Sequence, residues 1–229
     1  RQTSINAVIA AGMTFVILTG GIDLSVGSIL AICGAVAAFM IANGFDPFIT
    51  LATTMLLGTV LGAFAGLIIT KGKVQPFIAT LVAMTLLRGA TLVFTEGRPI
   101  STGFEANSDI FAWFGTGYLM GIPVPIFIMI IVFALSYYVL KHTRFGRYVY
   151  AISGLFSALA GIILTARLSS AQPTAGTGYE LDAIAAVVLG GTSLAGGIGT
   201  IFGTLIGALI IGILNNALNL MNVSSYYQM

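Results

Sequence analysis

Long apolar runs separated by short polar stretches dominate the sequence. A transmembrane helix needs about 20 mostly apolar residues to cross a hydrocarbon core about 30 Å thick. The long runs are residues 24–43, 47–70, 75–95, 122–140, 148–166 and 200–220, and the shorter runs are 5–19 and 183–189. The pattern predicts an all-α fold, a polytopic transmembrane helical bundle with interrupted helices, in which about two of roughly eight membrane segments are broken or partial.

Two glycine-rich stretches interrupt the apolar pattern. The motif Gly20-Gly21-x-x-Leu24-x-x-Gly27 matches a second copy 170 residues later, and both copies run in the same direction. Paired breaks of this kind indicate a substrate path in transporters, although chance similarity between glycine-rich membrane segments explains the match equally well. The predicted helix breaks are Gly20, Gly21, Gly27, Gly190, Gly191, Gly196 and Gly197.

Composition excludes a soluble domain. Only 7% of the 229 residues are charged and 58% are hydrophobic, whereas soluble domains average about 25% charged residues. The net charge of +2 is spread over short loops and forms no nucleic-acid footprint. We find no nucleotide-binding loop, metal-ligand spacing or nucleophile with a nearby base, so we expect no catalytic residue, metal or cofactor on this chain.

Basic residues in short loops set the predicted orientation, because positive charge is retained on the cytoplasmic side. They occur in two loops separated by two spans, as two cytoplasmic loops must be. The polar stretches 96–121 and 167–182 then lie outside. The cytoplasmic loop residues are Lys71, Lys73, Lys141, Arg144 and Arg147.

A few polar residues fall within or beside the apolar runs, where charge is costly unless it faces a cavity or a partner. Asp23 follows the first glycine pair and either lines a translocation path or caps the helix that follows. Arg88 either snorkels to the outer surface or pairs with a carboxylate or a substrate hydroxyl.

One span carries three asparagines. Asn215 and Asn216 precede Asn219 by four and three residues, which places them near Asn219 on one helix face. Neutral amides both donate and accept hydrogen bonds, which suits a hydroxylated substrate. Hydrogen bonding between helices is the alternative role.

Several motifs closely resemble ribose permeases, which belong to the bacterial ATP-binding-cassette monosaccharide importers. The resemblance covers nearly the whole chain, and Ser-Ser-Ala-Gln-Pro-Thr at 169–174 and Ser-Ser-Tyr-Tyr at 224–227 are its most ribose-like parts. The other matching stretches are 20–27, 72–81, 143–148 and 175–191.

The resemblance implies one transmembrane permease domain over residues 1–229 in a bacterial inner membrane. It also implies a second copy of the chain, a periplasmic sugar-binding protein, and a cytoplasmic ATPase that carries ATP and magnesium. We expect the five basic residues of the cytoplasmic loops to face this ATPase. A permease for another sugar, a furanone or a branched-chain amino acid remains an alternative, as do a passive channel and a non-transporting scaffold.

The chain departs from the family pattern in three places. The family has a membrane helix before the equivalent of Arg1 and another after Met229, and we expect the chain to be trimmed. Residues 151–154 also run together where the family carries a cytoplasmic segment that docks on the ATPase. If that segment is absent, we expect no ATP-coupled transport.

Overall fold

The computed structural model describes residues 1–142 and 148–221, and most of this part of the chain is helical, with very little strand. Its helices are α1 (Gln2–Leu18), α2 (Val26–Ala42), α3 (Pro47–Gly72), α4 (Pro76–Phe94), α5 (Ala106–Thr116), α6 (Val124–His142), α7 (Val149–Leu168), α8 (Tyr179–Leu189) and α9 (Ile201–Leu220). The two-residue strands are β1 (Ile100–Ser101), β2 (Tyr118–Leu119), β3 (Ile122–Pro123) and β4 (Ser170–Ala171). β1 pairs with β4 and β2 with β3, both antiparallel.

The helix starts follow from local sequence. Asp46 precedes α3, and its Oδ1 accepts hydrogen bonds from the amides of Phe48 and Ile49, which have no partner within the helix. Pro47 and Pro76 occupy the first turns of α3 and α4, where a missing amide hydrogen costs nothing. These caps explain why the two spans begin where the apolar pattern places them.

Five helices are long and apolar enough to cross a membrane: α3, α4, α6, α7 and α9. α1 and α2 have 17 residues each, about 25 Å of helix, so α2 is shorter than the span expected over 24–43. α8 has only 11 residues. The multi-pass bundle with partial helices is confirmed, whereas α5 and the small hairpins of the outer loops went unpredicted.

α1 and α7 form the centre of the bundle. Every residue of α1 from Ser4 to Ile17 is buried, and α7 packs against α1, α2 and α3. Glycines allow these close approaches: a Cβ at Gly12 would lie 3.1 Å from the Cα of Ser153, and one at Gly58 would lie 2.6 Å from the carbonyl oxygen of Gly154. The core is therefore held by backbone-to-backbone packing.

The outer helices expose large apolar side chains on the surface that a bilayer would cover. Val93 of α4 is 80% exposed and Ile213 of α9 is 69% exposed. Other side chains of this kind are Phe48, Leu56, Phe64, Leu86 and Phe202. Such an apolar exterior around a buried centre is expected for a protein dissolved in lipid.

Candidate functional site

α1 and α9 run antiparallel and bound a cavity near the amino-terminal end of α1. Thr14 Oγ1 lies 2.7 Å from Thr204 Oγ1, while Thr3 packs against Gly212. The cavity has a volume of about 550 Å³ and lies among α1, α6 and α9. Its polar lining residues are Arg1, Gln2, Thr3, Ser4, Asn6, Asn215 and Asn216.

The Asp182 carboxylate joins three helices beside this cavity. Its Oδ2 accepts a hydrogen bond from Asn6 Nδ2 at 3.1 Å and another from Asn215 Nδ2 at 3.5 Å. Asp182 lies in the first turn of α8, which is too short to span a membrane. Burial raises the pKa of Asp182 above its ordinary value, although the Asn215 hydrogen bond opposes the shift.

Gln2 extends the hydrogen-bond network to the end of α7 and the start of α8. Its Nε2 donates to the Tyr179 hydroxyl at 2.7 Å, and its Oε1 accepts from Arg167 Nη1 at 2.7 Å. Arg167 lies in the last turn of α7, and Tyr179 is the first residue of α8. The cavity thus has amides on α1 and α9, with a carboxylate and a phenol on α8 behind them, a set that can both donate to and accept from hydroxyl groups.

Two of the asparagines predicted to lie on a substrate path, Asn215 and Asn216, line this cavity. The side chain of Asn219 lies outside the described residues. Sequence reasoning missed Gln2, Asn6 and Asp182. The available signals were an asparagine in the first apolar run and an aspartate at the end of the outer polar stretch.

Asp23 lies away from the cavity lining and is 1% exposed. Its Oδ1 accepts hydrogen bonds from the Ser25 amide at 3.0 Å and the Ser25 hydroxyl at 2.6 Å, and its Oδ2 accepts from Ser153 Oγ at 2.9 Å. α2 starts one residue after Ser25. Asp23 therefore orders the turn before α2 and ties it to α7, rather than capping the free amides of the helix itself.

Arg88 is also not among the cavity-lining residues, and its hydrogen bonds within the described ranges go elsewhere. Its Nη1 donates to the backbone carbonyl of Ala175 at 2.7 Å and to that of Pro173 at 3.4 Å. The partners expected from the sequence were a carboxylate or a substrate hydroxyl, and the observed ones are carbonyls of the segment before α8.

The two glycine breaks are real interruptions, but they do not repeat each other's backbone. Gly20 has φ +77°, whereas its counterpart Gly190 has φ −71° as the last residue associated with α8. Gly191, Gly196 and Gly197 have positive φ. The internal match is therefore one of sequence only.

Gly27 is not a helix break, because it lies in the first turn of α2. Its hydrogen atoms face Gly176, and a Cβ on Gly176 would lie 2.6 Å from the Gly27 carbonyl oxygen. Close packing explains this glycine. Gly21 faces the Tyr150 side chain in a similarly tight contact.

The basic loop residues occupy the opposite end of the bundle. Lys71 and Lys73 are exposed at the end of α3, and Lys141 is exposed at the end of α6. Tyr150, near the start of α7, packs on Gly66 of α3, which places the start of α7 near the end of α3. Arg144 and Arg147 lie outside the described residues.

The family described as the permease component of branched-chain amino acid transport systems matches residues 1–152 and 148–229. The chain belongs to this permease family. It is 61% identical to the ribose import permease protein of Haemophilus influenzae, 58% to that of Escherichia coli K12 and 56% to that of Bacillus subtilis. Each alignment covers 100% of this chain and 78%, 79% and 78% of the respective relative. No solved structure matches the chain.

The permease is thus a transport component and not an enzyme, and it is a multi-pass protein of the bacterial inner membrane. The family implies an ATPase and a periplasmic binding protein as partners. The three alignments extend over 253 positions, against 229 residues here. About 24 positions of the relatives therefore have no counterpart inside this chain, and the two family matches meet at residues 148–152.

Proposed function

We propose that the chain carries ribose across the inner membrane as the membrane-spanning subunit of an ATP-driven importer. The amide-lined cavity between α1 and α9 is the observation that carries this proposal. A pentose offers several hydroxyl groups and no charge, and neutral amides bind such groups without the cost of desolvating an ion. The names of the relatives that are 56–61% identical supply the choice of sugar.

The site is assigned to Asn6 and Asn215, with Asp182 as the acceptor that orients both. The side-chain amides of Asn6 and Asn215 each donate one N–H to the Asp182 carboxylate. The remaining N–H and the carbonyl oxygen of Asn215 are then available to a substrate from the α9 side. Gln2 and Asn216 complete the lining toward the outer end.

ATP and Mg²⁺ are proposed to bind only to the separate ATPase. The permease is further proposed to work as a homodimer in which a second copy covers part of the exposed apolar surface of α9 or α3. Chemical cross-linking in native membranes tests this arrangement. A monomer band alone, under conditions that cross-link the ATPase to the chain, would contradict it.

Direct binding tests the sugar assignment without requiring ATP-driven turnover. The purified chain in lipid nanodiscs is expected to bind radiolabelled ribose saturably. Asn6→Leu combined with Asn215→Leu should weaken binding by about tenfold or more, the loss expected for two hydrogen bonds. Asn43→Leu, at an exposed position after α2, is the matched control and should leave affinity unchanged.

Competition between radiolabelled ribose and unlabelled sugars tests which sugar the chain prefers. Unlabelled ribose should displace the label at lower concentration than allose or xylose, the sugars in the names of relatives that are 39% and 33% identical. Equal displacement by all three sugars would overturn the assignment to ribose. An unaltered affinity in the double variant would overturn the assignment to this cavity.

A further inference from the structure

We propose that Arg88 is a positioning residue, which anchors the segment 172–178 inside the bundle and so holds the first turn of α8 against the cavity. The inference deepens the proposed function, on which its relevance to sugar rests. The cavity is lined by residues of α1, α6 and α9, and α8 hydrogen-bonds to its lining, whereas Arg88 belongs to α4. Its effect on the site is therefore indirect.

The segment 172–178 turns back into the bundle after α7. Ala171, just before it, packs with Ala35 and Ala38 of α2. Gly176 packs against Gly27, near the beginning of the same helix. Eight helical positions separate Ala35 from Gly27, so the segment returns about 12 Å along α2. We call residues 172–178 the re-entrant loop.

Backbone groups buried by such a loop need hydrogen-bond partners, because water is scarce at this depth. The Arg88 guanidinium supplies donors to two of them, the carbonyls of Ala175 and Pro173. Arg88 lies six residues before Phe94, the end of α4, or about 9 Å along the helix. An arginine is well suited to this task, since one planar group can reach neighbouring acceptors.

The contact between Gly27 and Gly176 leaves the loop little room to shift. A Cβ on Gly176 would lie 2.6 Å from the Gly27 carbonyl oxygen, and Gly176 has φ +72°. The loop is thus fixed from two sides, by the α2 backbone and by Arg88.

Three residues link the Arg88 contact to the cavity. Gly178, three residues after Ala175, is the N-cap of α8 and has φ +85°. Tyr179 and Asp182 lie in the first turn of α8, and they form hydrogen bonds of 2.7 and 3.1 Å with Gln2 and Asn6. A displacement of the loop would move both cavity partners.

Arg88 also has a favourable electrostatic interaction with Glu180. Glu180 Oε2 is buried and has no hydrogen-bond partner within the described part of the chain, and its Oε1 accepts only a long bond of 3.3 Å from the Gly178 amide. The Arg88 charge interacts favourably with this carboxylate. Arg88 therefore lies near a buried carboxylate of the first turn of α8 as well as near the loop carbonyls.

The single cysteine of the chain, Cys33, is buried, so an introduced cysteine reports on its own site. Ala175→Cys places a thiol on the partly buried loop, and its modification by a maleimide measures loop opening in nanodiscs without sugar. Arg88→Gln should raise the modification rate by about tenfold or more, the effect of losing hydrogen bonds to a charged donor. Arg88→Lys, which keeps the charge and a donor, should restore most of the protection.

Ala112→Cys on α5, also partly buried, is the matched control. Its rate should not respond to Arg88→Gln. Gly27→Ala, which crowds Gly176 while leaving Arg88 intact, should also expose Ala175→Cys and provides an independent second variant. An unchanged rate at position 175 in the Arg88→Gln protein, or an equal rise at position 112, would overturn the proposal. Because no sugar is present, a failure of ribose binding would leave this result unaffected.

Discussion

The backbone amide of Gly197 donates a hydrogen bond of 3.0 Å to the carbonyl oxygen of Leu18. Leu18 ends α1, and Gly197 precedes α9, so the two glycine breaks are joined where the cavity-lining helices approach each other. Gly196 lies against Gly20 in the same junction. The contact thus joins α1 and α9 at the end of α1 opposite the cavity.

Gly196→Ala should therefore destabilise the protein more than an ordinary substitution at a glycine of positive φ. A Cβ at Gly196 would lie 2.8 Å from the Gly20 amide nitrogen, and Gly196 has φ +84°. The expected loss in free energy of unfolding is about 2 to 4 kcal/mol, combining backbone strain with the steric clash. Thermal unfolding in detergent measures it.

Gly44→Ala provides the matched control for backbone strain. Gly44 has φ +81°, and nothing lies within 4 Å of the Cβ it would gain. Its substitution should cost only about 1 kcal/mol. Equal melting temperatures for the two variants would show that the junction contributes nothing to stability.

Asp23→Ala should cost more stability than Asp46→Ala. The buried Asp23 carboxylate accepts three hydrogen bonds, and its loss leaves the Ser25 and Ser153 hydroxyls without that acceptor. We expect a loss of about 3 kcal/mol, against about 1 kcal/mol for the exposed cap Asp46. Ser153→Ala removes only one of these hydrogen bonds. Its loss in free energy of unfolding should therefore be smaller than that of Asp23→Ala. A smaller effect at Asp23 than at Asp46 would contradict the structural role.

The sequence predicted the long spans well, for a physical reason. Each of α3, α4, α6 and α7 is a continuous apolar run bounded by charged or proline-containing turns, so local pattern alone determines it. α5 was missed because its mixture of Asn, Ser, Asp and aromatic residues has no membrane periodicity. It forms because Phe111 and Gly115 pack against the end of α7, which is a tertiary effect.

Only the residues that α9 contributes to the site were predicted from the sequence. Asn215 was recognisable as a polar residue in an apolar span, but its partner Asp182 lies 33 residues away and Asn6 lies 176 residues from Asp182. Their meeting depends on α8 running back beside α1. Asp23 and Arg88 were predicted as site residues because charge in a membrane is costly. In the structure each hydrogen-bonds to a segment between helices and neither is among the cavity-lining residues.

Ribose binding should weaken as the pH falls. Burial raises the pKa of Asp182, so its carboxylate becomes protonated at a higher pH than an ordinary aspartate. The hydrogen bonds that orient Asn6 and Asn215 then lose their anionic acceptor and weaken. Affinity should be constant at neutral pH and fall on acidification through this raised pKa. Binding to nanodiscs across a pH series measures it.

Asp182→Asn tests the origin of that pH dependence. The variant should bind ribose more weakly at neutral pH and show a flat profile on acidification. His142→Gln, at an exposed residue of the opposite end, is the control and should keep the slope of the unaltered chain. A persistent acidic slope in Asp182→Asn would show that Asp182 is not the group whose titration weakens binding.

The junction at Ile152 and Ser153 should separate sugar binding from ATP-driven transport. α7 runs through these residues without a break, at the place where the two family matches meet. We propose that the positions missing relative to the homologues fall here and belong to the ATPase-docking surface. The chain as it stands should bind ribose yet give no uptake when produced together with the ATPase and the binding protein.

In a chain extended at both ends to the length of the Haemophilus influenzae relative, inserting that relative's corresponding segment of about 24 residues between Ile152 and Ser153 should restore uptake. A Gly/Ser insert of the same length is the control and should not, because it provides spacing without a docking surface. Uptake of radiolabelled ribose by cells that lack their own permease is the measurement. Robust uptake by the unaltered chain would refute the proposal, since coupling would then need no added segment.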